Sequence, residues 1–71
     1  MTNQSAYATL VSFLKKEIQD AISRTGIHSV ADELNLLPVG VEVLLANPMW
    51  SIETTMNTAE ALGYRISFEV H

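Results

Sequence analysis

Seventy-one residues make one small domain, near the lower limit at which a single hydrophobic core is self-sufficient. Cysteine is absent, which excludes disulfides, and the two histidines, His28 and His71, lie far apart without metal-ligand spacing around either. Four basic against eight acidic residues give a formal charge of -4, which argues against a binder of polyanions, while 48% hydrophobic residues supply ample apolar surface to share across an interface.

In chain order, residues 6–25 place Tyr7, Leu10, Val11, Leu14, Ile18, Ala21 and Ile22 at spacings of three and four, which predicts an amphipathic helix. Phe13 falls at the edge of that stripe, so either the buried face is wide or Phe13 meets a partner. Gly26 is placed to end the helix. Ser29 with Asp32 three residues on resembles a capping box and predicts a short helix from Ser29 to about Leu34. A turn through Asn35 and Leu36 follows, and Pro38, suited to a first helical turn, opens the next helix. Val41, Leu44 and Leu45 give that helix an apolar face, and Pro48 ends it at about Ala46. Ser51 caps a fourth helix, with Glu53 in its first turn. Its expected stripe is Ile52, Met56, Ala59 and Leu62, and Gly63 punctuates its end. Beyond it, "YRISFEV" alternates strictly, with Tyr64, Ile66, Phe68 and Val70 on one face and Arg65, Ser67 and Glu69 on the other.

The segment "SIETTMNTAEALG", residues 51–63, resembles the common "SLETLLRIAEALG" helix of the XRE family of lambda-repressor-like DNA-binding domains. "VADELNLLPVGVEVLLAN" is similar, more weakly, to that family's helix-turn-helix. The resemblance implies a mainly α bundle of about four helices, with Ala31 letting the two short helices approach and Leu34, Leu36, Val41 and Leu44 in the core. It also implies a DNA-binding transcriptional regulator that acts as a homodimer; the expectation of a cytoplasmic protein comes instead from an N-terminus without a basic region followed by an apolar run and from the lack of eighteen consecutive apolar residues. The DNA-facing residues would be His28, Ser29, Leu37, Pro38, Val39, Gly40, Glu42 and Val43. None of those on the third helix is basic or an amide, although such side chains usually read bases. Leu37 stands where the family's capping serine often touches phosphate. Asn35 and Asn47 stand at positions where the family has glycines. Family membership favours DNA, whereas these residues favour the alternative: a helix-turn-helix dimer that no longer binds DNA and serves as a protein-interaction adaptor or antitoxin-like partner.

The orphan strand, Tyr64, Arg65, Ile66, Ser67, Phe68, Glu69 and Val70, is expected to pair with its own copy across a two-fold axis and form the dimer interface. A strand of another protein and an unpaired extended tail are the alternatives. Asp32, Glu33, Glu17 and Asp20 read as a solvated face rather than a carboxylate site, His28 and Ser29 do not make a nucleophile and base, and no enzymatic function is expected. No cofactor or metal is expected. Trp50 either covers the core or anchors a partner, with core cover the better expectation. A membrane-surface helix would need lysine or arginine on its polar face, and "LLPVGVEVLL" has none, so no membrane partner is expected.

Overall fold

The computed structural model describes residues 3–65, which form four helices: α1 (Asn3–Thr25), α2 (Ile27–Leu34), α3 (Pro38–Ala46) and α4 (Ile52–Ala61). The fold is mainly α, and no strand occurs among the described residues. At 1.5 Å per residue α1 is about 34 Å long, and it serves as the spine against which α2 and α4 pack. Its stripe is the one expected: Val11, Leu14, Ile18 and Ala21 are buried, and Tyr7, Leu10 and Ile22 pack at the margin. Val30 and Ala31 of α2, Val41 of α3, Ala59 of α4 and Trp50 from the α3–α4 connection complete the core. Ala31 is buried between helices as its small size allows. No helix among the described residues is long and apolar enough to cross a membrane.

Residues with special backbone freedom set where each short helix starts and stops. Gly26 adopts φ 92° and ψ 159°, a region essentially reserved for glycine, and turns the chain so sharply that α2 starts at the next residue. The Val30 amide donates to the Gly26 carbonyl at 3.3 Å. The expected capping box is therefore corrected: Ser29 lies inside α2, with no side-chain cap at its start. Local sequence favoured a later start, but Ile27 packs against the core and draws the helix back to the glycine.

Asn35 ends α2 with φ 59° and ψ 42°, the left-handed conformation that asparagine tolerates better than other non-glycine residues. Its amide donates to the Asp32 carbonyl at 3.1 Å, and the Leu36 amide to Ala31 at 2.8 Å. These are the paired bonds of a Schellman motif. Leu36, expected in the core, is instead 41% exposed, its side chain lying beside Gly40 of the next helix rather than in the core. Leu37 then caps α3 in an extended conformation with Pro38 in the first turn.

The α3–α4 connection is tied to α1. The Trp50 indole donates to the Leu44 carbonyl at 2.9 Å, and the Lys15 ammonium sits 5.9 Å from the Trp50 ring centroid while donating to the Asn47 carbonyl at 2.6 Å. Asn47 Oδ1 accepts the Met49 amide, which folds the chain around Pro48. Ser51 caps α4 as expected, its hydroxyl accepting the Thr54 amide at 3.1 Å.

The buried face of α4 differs from the expected stripe. Thr55, Thr58 and Ala59 are buried, whereas Ile52 is 61% exposed. The arc is rotated by roughly 50°, half of one residue's 100° step. Partnering of the Thr55 hydroxyl allows this: it donates to the Ser51 carbonyl at 2.9 Å and meets the Tyr7 hydroxyl at 2.8 Å, while Tyr7 also donates to the Trp50 carbonyl. Tyr7 and Thr55 thus tie the start of α4 to α1 and to the Trp50 backbone through their two hydroxyls.

Gly63, at φ 89°, closes α4 with a second Schellman motif: its amide donates to Glu60 at 3.0 Å and that of Tyr64 to Ala59 at 2.8 Å. The Tyr64 amide is thus committed to the helix cap, and Tyr64 and Arg65 lie in no strand. The Tyr64 ring meets Phe13 edge-on, with centroids 5.5 Å apart, and its hydroxyl donates to Glu17 at 2.8 Å. Phe13 does meet a partner, and the partner belongs to its own chain. The rest of the expected strand, residues 66–70, lies outside the described residues.

Candidate functional site

The expected DNA-facing residues lie on the outer side of α2 and α3. Leu37 is 72% exposed, and Val39 and Val43 are 62% exposed each. Glu42 is exposed between them, and Pro38 and Gly40 are half-buried. These six positions form one continuous strip along the start of α3. His28 and Ser29 sit apart, exposed in the first turn of α2, and neither side chain hydrogen-bonds to another described residue. No polar side chain caps the start of α3, so its first amides have no local acceptor.

The charge distribution is one-sided. Residues 26–63, which include α2, α3 and α4, contain the carboxylates of Asp32, Glu33, Glu42, Glu53 and Glu60 and no lysine or arginine. The chain's cations are Lys15, Lys16 and Arg24 on α1 and Arg65 beyond α4. Lys15 is engaged by Asn47 and Trp50, and Arg24 occupies the last turn of α1, where its charge suits the helix dipole.

Sequence reasoning missed a groove behind the strip. It measures about 350 Å³ and runs between the helices, with Gly40, Val43 and Leu44 of α3 on one wall and Thr54, Asn57 and Thr58 of α4 on the other. Leu34 and Leu36 close one end. The recurrence of Thr54, Asn57 and Thr58 at helical spacing was the one signal available, since it marks an uncharged polar strip on α4. That strip was hidden by the assumption that Ile52 and Met56 faced inward.

The other predicted clusters remain dispersed. Asp20, Asp32 and Glu33 are exposed, and Glu17 accepts the Tyr64 hydroxyl. That bond, then desolvation and the nearby carboxylate charge, hold the Tyr64 phenol above its ordinary pKa. No group of three or more potential metal ligands converges among the described residues. The dimer-interface residues Tyr64 and Arg65 are exposed at the end of α4, and Ile66, Ser67, Phe68, Glu69 and Val70 lie outside the described residues. No family model, curated protein or solved structure matches the chain.

Proposed function

We propose that the chain is an XRE-type, lambda-repressor-like helix-turn-helix domain that acts as a homodimer and docks protein rather than duplex DNA, as an adaptor or antitoxin-like partner. The observation that carries this reading is the outward surface of α3: Leu37, Val39 and Val43 around a single carboxylate, Glu42. Non-specific DNA affinity comes mainly from phosphates neutralised by lysine and arginine, with a salt slope of about 0.9 per phosphate contacted. With no lysine or arginine in residues 26–63, α2, α3 and α4 offer an approaching duplex no phosphate-neutralising side chain, and the outward face of α3 presents the Glu42 carboxylate instead. Exposed apolar side chains with little charge are the usual makings of a protein interface.

A DNA-binding regulator is the second reading, and one observation favours it. The amides of Val39 and Gly40 open α3 with no side-chain cap, and helix N-termini of this kind accept phosphate oxygens. Fluorescence anisotropy of a labelled mixed-sequence duplex, titrated with the protein in low and moderate salt, separates the two. Protein docking predicts no binding even in low salt; a salt-dependent isotherm supports the regulator. For the dimer, sedimentation of the full chain and of a chain ending at Tyr64 is the test. Loss of dimer on removing residues 65–71 is expected, and an intact dimer after the deletion contradicts the assignment.

A further inference from the structure

We propose that the groove between α3 and α4 receives a cationic amphipathic helix of a partner protein. Its apolar side chains lie against Gly40, Val43 and Leu44, and its lysines or arginines meet Glu53 and Glu60. This inference rests on the protein-docking reading and adds the chemistry of the partner.

The two walls differ in character. The α3 wall is apolar, and Val43 stands mostly in solvent there. The α4 wall is polar but uncharged and rises from buried Thr58 to exposed Asn57; beyond Asn57, outside the groove, Glu53 and Glu60 follow around the helix at i-4 and i+3. Both glutamates are exposed. An apolar wall facing a polar one with two carboxylates beyond its rim is complementary to a helix with one apolar face and cations at its border, laid in the groove by its i, i+3, i+4 anchors. Burial of the apolar face supplies the affinity, and the carboxylates supply steering and selectivity.

Charge also argues against the other occupants. The chain's own residues 66–71 carry Glu69 and no lysine or arginine, so they bring a like charge to an acidic rim. The α2–α4 surface of a second copy carries no lysine or arginine to meet Glu53 and Glu60. Nucleic acid is repelled for the same reason.

The experiment is an amide chemical-shift titration of the full-length protein with a Leu/Lys amphipathic helical peptide. A Leu/Glu peptide with the same apolar face is the control. Saturable shifts at Gly40, Val43, Leu44 and Asn57 are expected with the Leu/Lys peptide, and binding of the Leu/Glu peptide about tenfold or more weaker. Val43→Ser and the double change Glu53→Gln with Glu60→Gln each weaken the Leu/Lys peptide, the latter also flattening its salt dependence. Asp20→Asn on α1 leaves binding unchanged. Equal binding of the two peptides, shifts centred elsewhere, or an equal loss with Asp20→Asn overturns the proposal. So do groove shifts caused without peptide by removing residues 66–71, or by dilution, since these assign the groove to the tail or to a second copy. A parallel titration with mixed-sequence duplex keeps the two levels apart. Binding of DNA through α3 overturns the docking reading itself, whereas no response to DNA or peptide overturns only the choice of partner.

Discussion

The Trp50 corner and the outer side of α3 are close in sequence and opposite in physical state. Trp50 is 3% exposed, its indole bonded to Leu44 and its carbonyl accepting the Tyr7 hydroxyl. Val43, seven residues earlier, is 62% exposed. The corner has α1 beside it, so its apolar surface is buried and its polar atoms are paired; no buried polar side-chain atom among the described residues lacks a partner. Among the described residues, no helix covers the outer side of α3. Hydrophobicity alone does not separate the core from the exposed apolar surface here; the position of α1 does.

The comparison is broken most severely by Trp50→Ala. Removing a buried tryptophan costs about 3–5 kcal/mol, close to the whole stability of a small domain, so urea unfolding should find the variant largely unfolded. Tyr7→Phe keeps the ring and removes the hydroxyl that links Trp50 to Thr55, an expected loss of about 1–2 kcal/mol in the same assay. Asn35→Ala places a side chain with no local polar group at φ 59° and should cost about 1 kcal/mol, while Asn35→Gly is neutral or slightly stabilising. Val43→Ser, on the other side of the comparison, should change stability by no more than about 0.5 kcal/mol because the side chain already stands in water. A large loss there would mean that α3 is covered and that the contrast with the corner is false.

The smallest expected effect concerns Tyr64. Its phenol is held above the ordinary range because the neutral form donates to Glu17. The sign follows: this contact stabilises the fold below the ordinary tyrosine pKa and is lost as pH rises through the raised one. Ultraviolet titration should show the Tyr64 transition returning toward the ordinary value in Glu17→Gln. An unchanged profile in that variant would remove the tie between α1 and the end of α4.

Much of the helical framework was legible in the sequence, because it is written in local chemistry. The stripe from Tyr7 to Ile22 needs only spacing, Pro38 and Ser51 act within one turn, and the positive φ values of Gly26 and Gly63 follow from the missing side chain. The features missed depend on distant partners. Thr55 is buried because Tyr7, 48 residues earlier, meets its hydroxyl, and the start of α2 moves to Ile27 because of packing that a capping pattern does not register. Tyr64 belongs to both an alternating pattern and a helix cap, and the cap takes its amide. The α3 strip was legible as a list of residues, but the groove behind it exists only once α4 has turned Thr54, Asn57 and Thr58 toward α3.

The protein-docking proposal rests on the exposed apolar side chains of α3, Leu37, Val39 and Val43. Its most direct test is to record the amide resonances of Val39, Glu42 and Val43 in the full-length protein while duplex DNA is added at low ionic strength. The account predicts that these resonances stay in place; saturable shifts confined to the start of α3 and reversed by salt would contradict it.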